Sequence, residues 1–403
     1  MTAPHSRDHV GEAIDTTLID ALLAEAVERG VTTGVYAMTA DRDGTGYSGG
    51  AGTRDGSAPW SEDTIAWMAS MTKSIVAVAA LQSVEQGAIG LDDPLGEVLP
   101  ELAAPQVLEG YDGDVPLLRP ARSPVTLRRL LSHTSGAGYP FLSPELARYH
   151  EANAIPSTKE GRLATLVDSP LICEPGAEPH YGMGLDWVGL AIARITGTDL
   201  ETRLREHIFA PLGMTDTGFR IADRGRLAAM HARTPDGLVR IPFELPQEPE
   251  FVSAGGGLYG SPRDYLTFLR MIAAGGTLDG TTILAAETLA EARRSHSGPV
   301  GRMVSVNPAV SHDIELLPGT PVTWSLLGMR NEERTPLGRP VGTLTWAGGA
   351  NCYYWADGDG ERAGVAVLFT QLMPFADPAV LDLLAAVEQA VRTHSGDLVR
   401  SPR

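Results

Sequence analysis

Strand patterns lie near the two ends of the chain, and helical patterns fill the middle. Near the N-terminus, apolar residues at helical spacing over 18–29 precede "GVYAMTA" and "YSGGAGT", which flank the turn "DRDGTG" as in a β-hairpin. Near the C-terminus, "GTLTWAGG", "NCYYWAD" and "GVAVLFTQ" predict three strands before a helix in "DPAVLDLLAAVEQAVRTH". The run "GVAVLFTQ" is apolar at successive positions, which indicates a central strand covered on both faces.

The middle of the chain has few strand patterns. Its helical periods end at Gly or Pro and include "VTLRRLLSHTSG", "MGLDWVGLAIARITG" and "LETRLREHIFAPLG". We therefore predict an α+β fold in which residues 1–74 and 250–403 form one discontinuous α/β domain with an antiparallel sheet. Residues 75–249 are predicted to form a mainly helical domain. The segment 298–340 has no clear period, and long loops of this kind often contribute to binding sites.

The charge balance limits the possible partners. Fifty acidic and thirty-two basic side chains give a net charge of −18, and no Lys/Arg cluster interrupts it. Such a chain would be repelled by nucleic acid and by anionic membrane surfaces, so small-molecule partners are expected. The N-terminus has no apolar signal region, and no apolar run approaches the roughly 20 residues that span a bilayer. A cytoplasmic location is the resulting expectation.

The sequence predicts neither a metal nor a cofactor. Cys173 and Cys352 are far apart and lack metal-ligand spacing, so they are expected to be free thiols. Cys352 also lacks a His partner in sequence that would make it a nucleophile. No HExxH, CxxC, P-loop or dinucleotide-binding pattern occurs in a suitable context.

The stretch "AWMASMTKSIVAVAALQ" contains one of the only two lysines of the chain. Lys73 follows Ser70 by three residues at the head of an apolar helical run, so the two side chains share a helix face. Unlike Arg, a desolvated Lys can lose its proton and act as a base. The pair therefore fits an activated nucleophile, although S-x-x-K alone is a weak signal.

A second serine also matches a nucleophile motif. Residues 46–50 satisfy G-x-S-x-G around Ser48, a motif that requires a buried strand before the serine and a helix directly after it. The following residues, "AGTRDGSAPW", are polar and rich in Gly. Ser48 is therefore interpreted as an ordinary hairpin residue.

Two further segments give the Ser70/Lys73 pair its context. "EPGAEPHYGMGLDWVG" brings Tyr181 out of a Pro/Gly loop before a helix, and "GTLTWAGGAN" ends a strand at Trp346 with small residues after it. In this order the three segments resemble the serine hydrolases of the β-lactamase and penicillin-recognising fold, and most closely the family VIII carboxylesterases. The resemblance extends through "HTSGAGY", "PLGMTDTGF" and "SAGGGLYGSPRDYLTFLRM".

This resemblance implies an active site between the two predicted domains. Ser70 would be the nucleophile, Lys73 its base or proton relay, and Tyr181 would share the proton transfers. The backbone N–H groups of Ser70 and Gly349 would form the oxyanion hole. The expected substrate-binding residues are Trp346, Gly348, Met183 and His180. His133 in "HTSG" is expected to hold a loop in place.

Two departures from the lactamase pattern affect the predicted substrate. Trp346 stands where a lactamase has a Lys that binds the substrate carboxylate, and Met183 replaces an Asn that contacts the substrate amide. Both favour esters over β-lactams or peptides, so we predict a serine esterase for small to medium carboxylic esters. The alternatives are an acyltransferase that uses an alcohol other than water, a β-lactamase or D-amino-acid peptidase, and a non-catalytic binding protein.

Overall fold

The computed structural model describes residues 14–41, 44–358 and 364–393. Its helices, in chain order, are α1 (Thr16–Glu28), α2 (Thr72–Glu85), α3 (Leu127–Leu131), α4 (Pro144–Ala152), α5 (Ala164–Val167), α6 (Gly184–Thr196), α7 (Leu200–Leu204), α8 (Ala210–Leu212), α9 (Pro262–Ala273), α10 (Ala286–Ala292) and α11 (Pro378–Thr393). The π-helical turn Arg205–Phe209 joins α7 to α8.

The strands are distributed along the whole chain. In order they are β1 (Gly34–Ala40), β2 (Thr45–Gly52), β3 (Ala66–Trp67), β4 (Gln106–Asp112), β5 (Val115–Pro120), β6 (His231–Thr234), β7 (Gly237–Arg240), β8 (Tyr259–Gly260), β9 (Thr277–Leu278), β10 (Thr281–Thr282), β11 (Val322–Trp324), β12 (Met329–Asn331), β13 (Leu344–Gly348), β14 (Cys352–Ala356), β15 (Val365–Phe369) and β16 (Leu372–Met373).

The main sheet joins the two ends of the chain. Its order is β11-β12-β13-β14-β15-β1-β2, and every neighbouring pair is antiparallel. Helix α9 packs on β14, β15 and β1, while α1 packs on β1, β2 and α11. All residues of β1, β14 and β15 are buried, as expected of strands covered on both faces. The predicted α+β fold with an antiparallel sheet is confirmed.

The predicted N-terminal helix and hairpin, the three C-terminal strands and the last helix are all present. Residues 42–43 of the first predicted turn and 359–363 of the second lie outside the described residues. The division into two domains stays a prediction.

The middle of the chain contains two hairpins that the sequence pattern did not indicate, β4-β5 and β6-β7. The second strand of each hairpin, β5 or β7, is largely exposed and lacks the apolar alternation that marks a strand facing the core. β5 also contains Pro116 and Pro120, and proline is rare in central strands.

The segment that carries Ser70 is fixed before and after the serine. β3 pairs with β8, and the N–H of Met68 donates to the carbonyl of Leu258 at 3.0 Å. A 3₁₀ turn, Ala69–Met71, then leads into α2, whose residues from Thr72 to Ser83 are all buried. Ser70 therefore lies on a rigid turn where a buried helix begins. Among the helices of the described ranges, none has both the length and the apolarity needed to cross a bilayer.

Candidate active site

Ser70 and Lys73 are in direct contact. The Lys73 Nζ lies 3.1 Å from the Ser70 Oγ, as the three-residue spacing predicts. Lys73 is only 5% exposed, and its ammonium group has two further acceptors, the carbonyl of Gly255 at 2.6 Å and the Tyr139 hydroxyl at 3.1 Å. These three acceptors match the three donors of an ammonium group and fix the amine beside the serine.

The residue before Ser70 has a strained backbone. Ala69 has φ of +46°, a region that residues with a side chain rarely adopt. The Thr72 hydroxyl donates to the Ala69 carbonyl at 2.6 Å and accepts from the N–H of Leu258 at 3.1 Å. The buried threonine thus holds the turn that presents Ser70, and strain of this kind is typical of functional sites.

Tyr181 is the second side chain that contacts the serine. Its hydroxyl donates to the Ser70 Oγ at 2.7 Å and accepts from the indole Nε1 of Trp346 at 3.2 Å. The Lys73 Nζ lies 4.8 Å from the centre of the tyrosine ring. Trp346 is thus a hydrogen-bond donor to the tyrosine as well as the wall that the sequence predicted. The position of Trp346 in the sequence does not by itself distinguish these two roles.

Tyr139 and Gly255 also belong to this constellation, and sequence reasoning missed both. Burial, together with the neighbouring Tyr181 and Asp186, raises the pKa of Tyr139 well above its usual value, so its hydroxyl stays protonated. Asp186 accepts hydrogen bonds from the N–H of Gly255 and the hydroxyl of Ser253, both at 2.9 Å. The carboxylate thereby fixes the peptide whose carbonyl binds Lys73. Tyr139 and Gly255 lie in the segments "HTSGAGY" and "SAGGGLYG", which carry the family resemblance. The sequence alone assigned neither residue a function.

His133 supports the Tyr181 loop, as predicted. Its carbonyl accepts from the N–H of His180 at 2.7 Å, and the next carbonyl, of Thr134, accepts from the N–H of Gly176 at 2.7 Å. The imidazole packs 4.8 Å from the Tyr181 ring. Burial, followed by the charge of Lys73, lowers the pKa of His133 well below its usual value, so the ring is neutral.

Ser70 opens into a cavity of about 740 Å³, counting the space at its mouth. Apolar side chains form much of its wall, namely Trp67, Phe141, Leu245, Val310, Ile314, Trp346, Met373 and Phe375. Val310 and Ile314 come from the segment 298–340, so the predicted contribution of this loop to a binding site is consistent with its position.

Two adjacent glycines at the end of β13 have different surroundings. A Cβ at Gly348 would lie 2.2 Å from the carbonyl oxygen of Met68, so this glycine allows β13 to pack on the Ser70 turn. A Cβ at Gly349 would lie 3.8 Å from the nearest atoms, on Ala69 and Trp67, which also line the cavity. Gly349 therefore borders the substrate space beside Ser70, whereas Gly348 does not line the cavity and has a packing role.

A family model agrees with this geometry. The model described as Beta-lactamase matches residues 19–390 of the chain. The chain belongs to the beta-lactamase family. The resemblance found in the sequence is confirmed. Membership of this family makes the chain a serine hydrolase or acyltransferase.

Two sequence relatives are named as an esterase and as an acyltransferase. A lovastatin esterase of Penicillium rubens is 31% identical over 398 residues, covering 93% of this chain and 96% of the relative. A monacolin J acid methylbutanoyltransferase of Aspergillus terreus is 33% identical over 350 residues, covering 83% of each chain.

Solved structures give the same family and fold. Unliganded simvastatin synthase from Aspergillus terreus has a TM-score of 0.80 at 29% identity, covering 95% of this chain and all of that one. EstCE1, a hydrolase with promiscuous acyltransferase activity, has a TM-score of 0.74 at 22% identity, covering 93% and 97% of the two chains. At this lower identity the second similarity supports the fold alone.

Besides Gly348, two more predicted substrate-binding residues of this beta-lactamase family member do not line the cavity. His180 does not line the cavity, because its imidazole turns to Glu178, with 3.0 Å between Nε2 and Oε1. Met183 is 2% exposed at the start of α6 and also does not line the cavity. Both residues were predicted to bind substrate because they are close to Tyr181 in sequence. At the transition from loop to helix, however, their side chains point away from the cavity.

The rival nucleophiles have unsuitable surroundings. Ser48 lies exposed on the edge strand β2, where it hydrogen-bonds to Tyr36 at 2.9 Å, and no helix follows it directly. Cys352 is fully buried, and burial raises the pKa of its thiol to about 12. Cys173 is half-buried, and burial raises the pKa of its thiol to about 11. Both cysteines are free thiols, as predicted. Neither thiol is poised to form a thiolate near neutral pH.

Proposed function

We propose that this chain cleaves small to medium carboxylic esters through an acyl-enzyme on Ser70. One observation carries the proposal: the Ser70 Oγ lies 3.1 Å from the Lys73 Nζ and 2.7 Å from the Tyr181 hydroxyl, at a largely apolar cavity. A serine between two groups that exchange protons is the arrangement that nucleophilic catalysis requires.

The acylation step follows from these contacts. With Lys73 as a neutral amine or Tyr181 as a phenolate, the Ser70 Oγ attacks the ester carbonyl carbon, and its proton passes to that unprotonated group. The N–H groups of Ser70 and Gly349 would stabilise the negative charge that forms on the carbonyl oxygen. The same proton then passes to the leaving alkoxide as the carbon–oxygen bond breaks. The indole N–H of Trp346 supports any negative charge on the Tyr181 oxygen.

Deacylation reverses the order of these steps. A water molecule attacks the acyl group on Ser70, gives its proton to Lys73 or Tyr181, and the proton returns to the Ser70 oxygen as the acid leaves. If an alcohol takes the place of water, the product is a new ester. Acyl transfer is therefore the second candidate function, and the methylbutanoyltransferase named among the relatives favours it.

The test is hydrolysis of p-nitrophenyl acetate, butyrate and octanoate by wild type and Ser70→Ala, with Ser48→Ala as the matched control. Loss of the nucleophile should lower kcat/KM by about 10³-fold or more, and Ser48→Ala should leave it unchanged. Activity that survives Ser70→Ala would overturn the proposal. Product analysis with competing alcohols separates hydrolysis from transfer.

A β-lactamase or D-amino-acid peptidase is less compatible with the site. Trp346 gives the cavity an indole where lactamases have a cation close to the nucleophile, and Met183 offers no amide contact because it is buried away from the cavity. Nitrocefin turnover comparable with ester turnover would favour this alternative. Labelling of Ser70 by a fluorophosphonate would exclude a non-catalytic binding protein.

A further inference from the structure

The two lysines of the chain have different positions: Lys73 contacts Ser70 behind the cavity wall, whereas Lys159 lines the cavity itself. Lys159 shares the cavity wall with Trp67, and it also lines a smaller adjoining crevice together with Phe251. Among the described residues that line the cavity there is no carboxylate. A chain with a net charge of −18 thus has a cavity whose one charged side chain, among the described residues that line it, is the cation Lys159.

The position of Lys159 is well fixed. It lies in the 3₁₀ turn Thr158–Glu160, which begins with a capping box between Ser157 and Glu160. The turn ends at Gly161, whose φ is +64° and where a Cβ would lie 2.4 Å from the ring of Pro249. The backbone that carries Lys159 is therefore held in a defined position at the cavity wall.

The ammonium group of Lys159 rests on aromatic rings and lacks an anionic partner. Its Nζ lies 5.6 Å from the ring centre of Trp67 and 5.4 Å from that of Phe243, within the range of cation–π contacts. In the part of the chain that the structure describes, no carboxylate lies within 4 Å of it. Burial lowers the pKa of Lys159, because a desolvated ammonium lacks full compensation.

The nearby carboxylates are engaged elsewhere. Glu160 accepts from the N–H of Ser157 at 2.8 Å, in the capping box. Glu250 pairs with Arg162 at 3.6 Å, and Glu244 pairs with Arg224 at 2.6 Å. A carboxylate of a bound ligand would therefore be the first anion to contact Lys159. It would form the ion pair that the protein itself does not provide.

We propose that Lys159 is a specificity-determining residue that binds a carboxylate of the substrate, remote from the ester bond. This inference rests on the proposed ester chemistry and narrows its substrate class to anionic esters. Lactamases bind the substrate carboxylate with a lysine where this chain has Trp346, and we infer that Lys159 supplies a carboxylate-binding cation from another part of the cavity wall. The carboxylate belongs either to the acyl half or to the alcohol half of the ester, and the experiment separates the two.

The experiment compares charged and neutral esters of the same shape. For the acyl half, the mono-p-nitrophenyl ester of suberic acid is compared with p-nitrophenyl octanoate. For the alcohol half, 4-carboxyphenyl butyrate is compared with 4-carbamoylphenyl butyrate. The quantity measured is the ratio of kcat/KM for the anionic ester to that for the neutral one, which cancels any general loss of packing.

The variants are Lys159→Met, which keeps the length of the side chain, and Lys159→Arg, which keeps the charge. In one of the two pairs, the methionine variant should lower the ratio about 10-fold to 100-fold, and the arginine variant should retain most of it. Arg162→Met is the matched control, because it removes a cation from the same loop outside the cavity. Equal ratios for wild type and Lys159→Met in both pairs would overturn the proposal.

Failure of the anion site and failure of the ester chemistry are distinguishable. If no variant hydrolyses any of the four esters, the proposed function fails, and calorimetry of suberate binding to Ser70→Ala still tests Lys159. Binding that is lost in Ser70→Ala/Lys159→Met supports the anion site, and binding that is equal in both proteins contradicts it.

Discussion

The indole Nε1 of Trp346 lies 3.2 Å from the hydroxyl oxygen of Tyr181 and donates a hydrogen bond to it. The same hydroxyl donates to the Ser70 Oγ, so Trp346 acts on the nucleophile through the tyrosine. In this family member a neutral donor therefore stands beside the tyrosine. Such a donor stabilises negative charge on the Tyr181 oxygen and adds no cation next to the serine.

Replacing this donor should slow the reaction. Trp346→Phe keeps an aromatic wall but removes the N–H, so we expect kcat to fall about 10-fold, because hydrogen bonds to charged groups are worth roughly 1.5–3 kcal/mol. Trp324→Phe is the control: its ring lies 4.7 Å from that of Trp346, and its buried Nε1 has no hydrogen-bond partner. Equal kcat values for the two variants in p-nitrophenyl butyrate hydrolysis would contradict the role of the N–H.

Tyr139 should position Lys73. Tyr139→Phe removes one of the three acceptors of the ammonium group, while the ring stays packed against Phe141 and Tyr181. We expect kcat/KM to fall about 10-fold with little change in Tm. Tyr36→Phe removes a hydroxyl that bonds to Ser48, far from the cavity in the fold, and should leave kcat/KM unchanged. A Tyr139→Phe enzyme with wild-type kcat/KM would contradict this role.

The two glycines after Ala347 should respond differently to an added methyl group. Gly348→Ala places a Cβ 2.2 Å from the Met68 carbonyl oxygen, so the backbone must shift, and the free energy of unfolding should fall by about 1–3 kcal/mol. Gly349→Ala meets only ordinary contacts at 3.8 Å and should keep the stability of wild type. Urea unfolding of both variants checks this, and equal losses would contradict the packing assigned to Gly348.

Asp264 should make stability depend on pH. Burial raises its pKa to about 6, although Thr217 and the N–H of Asp216 donate hydrogen bonds to it. Its stabilising contribution is therefore fully present below the unfolded-state pKa near 3.8 and is lost as pH rises through about 6. The loss amounts to about 3 kcal/mol at alkaline pH.

Asp264→Asn isolates this effect, because the amide oxygen can accept the same hydrogen bonds but cannot ionise. The free energy of unfolding of the variant minus that of wild type should rise by about 2–3 kcal/mol between pH 4 and pH 7.5. Urea unfolding at each pH measures the difference. A difference that is constant or falls with pH would contradict the raised pKa.

Local spacing was enough to predict the contact between Ser70 and Lys73, because three residues on a helix fix their separation. Tyr181 and Trp346 required the order of motifs along the whole chain. Tyr139 and the Gly255 carbonyl were missed because they reach Lys73 from 66 and 182 residues away, through contacts that no local pattern encodes.

Other differences between the sequence predictions and the structure also arise because local patterns do not encode tertiary packing. His180 and Met183 were placed in the site because they are adjacent to Tyr181, but sequence adjacency does not determine side-chain direction in a loop. Lys159 was not singled out from the sequence, since its position over Trp67 and Phe243 depends on the packing of three separate segments. Five of the seven strands of the main sheet were predicted, four of them with a continuous burial that imposes an apolar pattern, whereas β11 and β12 are three residues long and were missed in the segment 298–340.

The most direct test of the central claim is to identify the residue that carries the acyl group during turnover. Wild type and Lys73→Met are mixed with p-nitrophenyl butyrate, quenched in acid, digested and mapped by mass spectrometry. We expect a butyryl group on the peptide that contains Ser70 in wild type, and we expect it to appear much more slowly in Lys73→Met. A butyryl group on Ser48 or on a cysteine, or labelling of Ser70 at equal rates in both proteins, would contradict this claim.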